Sequence, residues 1–329
     1  MDLNLVSEPV LSVVLPVRNG MPYFPQALSS LCRQNMREIE IIVVDDHSTD
    51  GSSQWALSQA AIDSRISVLD AKGAGLVAAL NTGFACANSD FIARMDADDV
   101  CGPSRFAVQM SHLRCSPDVA AVGGSAEVID ANGDLLHIHR VPVGKEEVSD
   151  GIRAGSLPIH ASMLIRREAF QAVGGYRSFF QHAEDFDLWL RIIERLFIDN
   201  VDQIVMKYRS HATSVSKIHA KQQFISGFFA ARLAEQRVRG NLESSFQSMF
   251  PMVEDIAALH LDHRRRAQFF LGLLEISLAR GHRARLIKKA VRVARQIVDA
   301  ELLSPPLVGI ISQFAERLFY REAGPCIRG

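Results

Sequence analysis

The chain has no cysteine pair at CxxC spacing and no histidine and cysteine cluster at zinc-site spacing, so a metal-stapled mini-domain is not expected. Its five cysteines, Cys32, Cys86, Cys101, Cys115 and Cys326, are odd in number and scattered. Reduced thiols in a reducing compartment are expected, not a disulfide framework. Charge of one sign is also lacking: 36 Lys+Arg against 37 Asp+Glu leave a net −1, which disfavours a nucleic-acid binder working through global charge. No apolar run reaches the roughly 18 residues that a membrane span needs. Asp2, Asn4, Ser7 and Glu8 interrupt the N-terminus, so no secretory leader is expected and the protein is placed in the cytoplasm. Internal repeats and low-complexity tracts are missing too. What remains is 329 residues, 48% of them hydrophobic, enough for one large domain with an appendage or for two domains.

The first hundred residues alternate in period. "VLSVVLPV", "IEIIVVD", "RISVLD" and "DFIARMD" are short apolar runs that suit strands buried on both faces. "QALSSLCRQ", "SQWALSQAA" and "GLVAALNTGFACA" suit crossover helices between them. This order predicts an α/β fold with a doubly wound, mostly parallel, Rossmann-like sheet. Further on, "RFAVQMSHLR" reads as a helix, "VAAVGGSAEVID" and "LLHIHRVP" as a hairpin-like pair about the turn "ANGD", and "HASMLIRREAFQAVGGYR" as a strand entering a helix. In "AEDFDLWLRIIERL" the apolar residues recur at helical spacing, which puts Glu184 and Asp185 in a first turn where the helix dipole favours negative charge. Composition changes near residue 215, so two parts are expected: 1–215, and an α-helical region 216–329. The latter includes the basic amphipathic segment "RARLIKKAVRVARQIV", a candidate for peripheral contact with the inner face of an anionic membrane as well as for an ordinary solvated helix face.

Three polar clusters, "PVRNG", "DDHSTD" and "DADD", stand at the ends of apolar strand runs. In open α/β sheets ligands bind beyond the carboxyl ends of the strands, so the three should meet in one crevice. Asp96 and Asp98, separated by one small residue, lie on one side of an extended chain. Hard divalent ions take such carboxylates together with phosphate oxygens, which points to Mg²⁺ or Mn²⁺ and a diphosphate. A lone DxD has little specificity, but a DxD after a buried strand with a second acidic cluster upstream has much more.

Taken together and in order, "SVVLPVRNG", "IIVVDDHSTDGS", "ALNTGFACANSDFIARMDADD", "GGYR", "AEDFDLWLR" and "YRSHATSVS" resemble a family 2 glycosyltransferase of the GT-A fold, over roughly residues 9 to 216. The resemblance implies an inverting enzyme that moves a sugar from a nucleoside diphosphate sugar, expected to be a UDP-sugar, to an acceptor hydroxyl on a surface polysaccharide, a lipid-linked oligosaccharide or another glycan. It matches Pro16, Val17 and Arg18, with Asp45 and Asp46, to the part that holds nucleobase and ribose. Gly75 falls in the nucleotide-side loop, where "AKGAGLVAALN" lacks the Asn that often precedes the glycine. Asp96, Ala97 and Asp98 match the DxD, with Asp98 as metal ligand and Asp96 as ribose contact or metal neighbour. Glu184 and Asp185 match the acidic pair that supplies the base, Asp185 being the base. "YRSHATSVS" matches the segment that closes on the diphosphate, with His211 as a further metal ligand and Arg209 as a charge clamp. His160 and Trp189 read as packing residues or acceptor lining, and the pattern assigns no role to Arg94 or Arg105.

Two rival classes use similar materials. A nucleotidyltransferase also pairs an α/β sheet with acidic metal ligands, but "LPVRNG" lacks its glycine-rich, lysine-bearing phosphate loop. A catalytically silent binding or scaffold protein would have no need of Asp96, Asp98 and Asp185. A dinucleotide oxidoreductase is disfavoured because no GxGxxG follows the first strand.

Overall fold

The computed structural model describes residues 9–180 and 182–211, together with positions 223, 226, 227, 230, 231, 233, 234, 237 and 238, all nine of them helical. The basic segment "RARLIKKAVRVARQIV" lies outside the described residues, as does nearly all of 216–329. One nine-stranded sheet organises the rest. Its first half is parallel, in the order β3 (Ile66–Asp70), β2 (Ile39–Asp45), β1 (Leu11–Val17), β4 (Phe91–Arg94). Helices α1 (Phe24–Cys32), α2 (Ser52–Ala60) and α3 (Leu76–Cys86) supply the crossovers between these strands. β1 is buried at every position, as expected of a central strand covered on both faces.

α3 packs on β1 and β2 at close quarters. A Cβ on Gly83 would stand 2.4 Å from Val14 Cγ1 and 3.1 Å from Val44 Cγ2, so a side chain there would push the helix off the sheet. Pro16, which has no N–H for a ladder, sits beyond the last β1–β4 pair at Val14↔Arg94. Met95 N–H still donates to Val14 O at 3.1 Å, and beyond it the chain leaves β4.

The second half of the sheet is mixed. β4 continues antiparallel to β8 (Leu164–Arg166), which pairs with β6 (Val119–Ile129). β6 runs parallel to β9 (Phe197–Arg209), and β9 carries the two-residue β5 (Val100–Cys101) at the edge. β7 (Leu135–His139) pairs with β6 as the hairpin predicted from "ANGD", its turn drawn tight by Asp130 Oδ1, which accepts from the N–H groups of Asn132, Gly133 and Asp134. The remaining helices are α4 (Arg105–Cys115), α5 (Lys145–Arg153), α6 (Arg167–Ala172) and α7 (Glu184–Ile192). β9 is a strand that the sequence pattern did not single out. No helix among the described residues is long and apolar enough to cross a membrane.

Candidate active site

The three polar clusters do meet. β2, β1 and β4 are adjacent, and their carboxyl ends are tied by the loops that leave them. Asp46 N–H donates to Val17 O at 2.8 Å. Asn19 N–H donates to Ser48 Oγ at 2.9 Å, and Asn19 Oδ1 accepts from Thr49 N–H at 2.7 Å. Gly20 closes the approach, since a Cβ there would lie 2.8 Å from Val17 Cγ2 and 3.5 Å from Ala97 Cβ. "PVRNG", "DDHSTD" and "DADD" therefore share one edge.

On the β2 side, Asp45 accepts from Ser48 N–H at 3.3 Å through both oxygens. Asp46 is buried and receives Gly75 N–H at 3.0 Å and the exposed Arg18 guanidinium at 3.4 Å, both on Oδ2. Gly75 holds φ +89° at the start of α3, a backbone value that glycine adopts without strain. Asp46 Oδ1 is buried with no hydrogen-bond partner. A buried, unsatisfied carboxylate oxygen costs free energy until a donor reaches it.

On the β4 side, Asp96, Asp98 and Asp99 bring carboxylate oxygens within 4.8 Å of one another. Both oxygens of Asp96 are taken in the fork of Arg94, at 2.5 and 2.7 Å, the bidentate geometry in which guanidinium and carboxylate pair most strongly. Asp98 is the most open of the three, its side chain 35% exposed, and its Oδ2 lies 2.9 Å from His211 Nε2. Asp99 is buried. It accepts Arg209 N–H on Oδ1 at 2.8 Å and leaves Oδ2 without a partner. Burial raises the Asp99 carboxyl well above its ordinary range, helped by the neighbouring charges of Asp96 and Asp98. Clustered hard oxygen donors with an orphaned oxygen among them fit a divalent cation of the Mg²⁺ or Mn²⁺ kind.

Arg209 departs from the expected charge clamp. Its guanidinium is buried, with Nε donating to Asp98 O at 2.9 Å, Nη1 to Asp130 O and Ala131 O at 3.1 and 3.3 Å, and Nη2 to Gln26 Oε1 at 2.7 Å. Its Cζ stands 4.5 Å over the Tyr23 ring. These four hydrogen bonds brace the aspartate loop against β9 and turn the guanidinium toward protein oxygens.

The second acidic group opens α7. Glu184 and Asp185 occupy its first turn, as the spacing predicted. Burial, then the Asp185 charge, pushes the Glu184 carboxyl up to about 7. Asp185 is raised by burial against the pull of its Phe186 N–H hydrogen bond, at 2.8 Å on Oδ1, and of Arg94. Its Oδ2 lies 4.0 Å from His160 Nδ1. Asp187, fully buried one turn on, is held by Arg191 at 2.6 and 3.0 Å and serves the helix.

Arg94, to which the sequence assigned nothing, is a buried cation that links the two acidic groups: besides gripping Asp96, it acts on Asp99, Glu184, Asp185 and His160. The signal was available, because residues two apart in an extended chain share a face and Arg94–Asp96 is such a pair. Arg105 supports it from below, donating to Arg94 O at 2.8 Å and Met163 O at 3.2 Å.

Residues 12–174 match the family model described as Glycosyl transferase family 2. The putative glycosyltransferase EpsE of Bacillus subtilis is 30% identical over 217 residues, which cover 64% of this chain and 77% of EpsE. The amylovoran biosynthesis glycosyltransferase AmsE of Erwinia amylovora is 29% identical over 194 residues, 58% of this chain and 72% of AmsE. Among solved structures, S. aureus TarS 1-349 in complex with UDP-GlcNAc superimposes with a TM-score of 0.56 at 16% identity, covering 94% of this chain and 87% of that one. At that identity the likeness establishes the fold, a GT-A sheet.

Proposed function

The chain belongs to glycosyl transferase family 2, and from that premise we propose that it is an inverting, metal-dependent enzyme moving a sugar from a nucleoside diphosphate sugar to an acceptor hydroxyl. The observation that carries this reading is the meeting, at the carboxyl ends of β2, β1 and β4, of a buried acid with an orphaned oxygen, Asp46, and the trio Asp96, Asp98 and Asp99. Asp45 and Asp46 suit recognition of nucleobase N–H and ribose hydroxyls, for which a carboxylate is a strong acceptor. Asp98, with His211 against it and Asp96 and Asp99 beside it, would hold Mn²⁺ or Mg²⁺. When bound, such an ion supplies positive charge to the diphosphate oxygens.

The chain's own part in the transfer belongs to α7. An acceptor hydroxyl is a weak nucleophile, and Asp185 takes its proton as the anomeric carbon is attacked, a contribution of about 10²–10⁴ in rate. Glu184, its carboxyl pushed up to about 7 by burial, hydrogen-bonds the acceptor or orients Asp185. Direct displacement needs no enzyme nucleophile and inverts the anomeric centre.

For the donor we favour a UDP-sugar, in keeping with the UDP-GlcNAc held by TarS 1-349. For the acceptor we favour a surface polysaccharide or lipid-linked glycan, in keeping with the amylovoran biosynthesis role in the name of AmsE. In this reading residues 1–215 bind the donor in the cytoplasm, and the helical region 216–329 brings a basic face to the inner surface of the membrane.

Two substitutions separate the roles. Asp98→Asn should abolish metal-dependent donor binding, whereas Asp185→Asn should keep donor binding and lose transfer. Normal binding and normal transfer by both variants would overturn the mechanism.

A further inference from the structure

The residues that face Asp185 come from outside α7. His160 stands in a 3-10 turn, His160–Ser162, just before β8. Its Nδ1 lies 4.0 Å from Asp185 Oδ2, and its Nε2 lies 2.8 Å from the Tyr176 hydroxyl. The ring is fixed by an edge contact with Trp189 at 6.0 Å and a tilted one with Tyr176 at 5.6 Å. Tyr176 is in turn held to α3: its N–H donates to Asn81 Oδ1 at 3.2 Å, its carbonyl accepts from Asn81 Nδ2 at 2.9 Å, and its ring meets Phe84 and Phe170 edge-on.

The contacts favour one arrangement of protons. Burial, then the Arg94 charge, holds His160 well below its ordinary range, so the imidazole is neutral with a single N–H. Burial raises the Tyr176 phenol, which keeps its proton and is a donor. If that O–H donates to Nε2, the histidine proton resides on Nδ1 and points at Asp185. The opposite tautomer would aim a nitrogen lone pair at a carboxylate oxygen.

We propose that His160 is a positioning residue for sugar transfer: the Tyr176 hydroxyl fixes it as the Nδ1–H tautomer, and that N–H sets the orientation of the Asp185 carboxylate. The inference rests on the reading of Asp185 as base. A neutral imidazole suits the task, because it orients a carboxylate without forming an ion pair that would weaken it as a base. At 4.0 Å the two groups are short of hydrogen-bond contact in this structure, and the proposal requires them to close as the acceptor enters, as catalytic contacts commonly do.

The test uses the full chain. In ¹⁵N-imidazole spectra, with the His160 signal assigned by its loss in His160→Asn, Nδ1 should be protonated and Nε2 unprotonated near neutral pH, and Tyr176→Phe should erase that preference. The Asp185 carboxyl ¹³C signal should move in His160→Ala and return in His160→Asn, whose amide nitrogen falls where Nδ1 stood. In UDP release from UDP-GlcNAc with Mn²⁺, His160→Ala should lose about tenfold in kcat, the worth of one hydrogen bond to a charged group, with KM unchanged. His160→Asn should recover most of that loss, and His160→Gln, whose amide falls nearer Nε2, should not. An Nε2–H tautomer, an imidazolium, or equal kcat in Ala, Asn and Gln variants would overturn the inference. Absence of turnover in the unmodified chain would count against the enzyme reading instead, and the two spectroscopic results would still decide the role of His160.

Discussion

Replacing Glu184 by Gln should stabilise the protein, and only above a definite pH. The carboxyl is buried beside Asp185 and titrates at about 7 against an ordinary 4.5. An acid whose folded value is raised binds its proton more tightly folded than unfolded. Its penalty is therefore absent below about pH 4.5, grows as pH rises, and is complete above about pH 7. The distance from 4.5 to about 7, at about 1.4 kcal/mol for each tenfold in proton affinity, corresponds to at most roughly 3–4 kcal/mol. Glutamine keeps the shape and carries no charge. In urea unfolding followed at pH 4 and pH 8, Glu184→Gln should match the parent at pH 4 and exceed it by about 2–3 kcal/mol at pH 8. Equal stability of the two proteins at pH 8, or a gain confined to pH 4, would refute the buried like-charge pair.

Arg94→Met should leave Asp96 without its bidentate partner and cost about 3 kcal/mol in chemical denaturation, the scale of a broken buried ion pair, while weakening donor binding. Gly83→Ala should cost roughly 1–3 kcal/mol by overpacking α3 against Val14 and Val44, read as a lower urea midpoint at unchanged slope. Among the described cysteines, Cys86 and Cys115 are exposed, whereas Cys101 is buried and its thiol is pushed up to about 11. A thiol reagent should modify Cys86 and Cys115 quickly in the native protein and reach Cys101 only on unfolding.

The parallel half of the sheet was legible because β1 and β2, buried almost throughout, read as nearly unbroken apolar runs with acids after them. The hairpin was legible in "ANGD", and the α7 acids in the apolar spacing after them. β9 was not, since its middle, Asp202 to Ile204, is exposed where its pairing with β6 shifts register between Gly124 and Ser125, and the polar interruption masks a thirteen-residue strand. Arg209 looked like a free cation because sequence does not say whether a charge is already spent on backbone carbonyls. His160 and Tyr176, sixteen residues apart, meet only because the Gly174–Gly175 turn, with φ +78° and +70°, returns the chain after α6. No local period records such a contact.

The central claim is that a nucleoside diphosphate sugar and a divalent ion share the edge formed by Asp46 and Asp98. Calorimetric titration of the purified chain with UDP-, GDP- and dTDP-sugars, in Mn²⁺ and in chelator, tests it most directly. Saturable binding of one nucleotide class that vanishes in chelator and in Asp98→Asn is the predicted result. A folded protein that binds none of them, or binds one equally well without metal, would contradict the account.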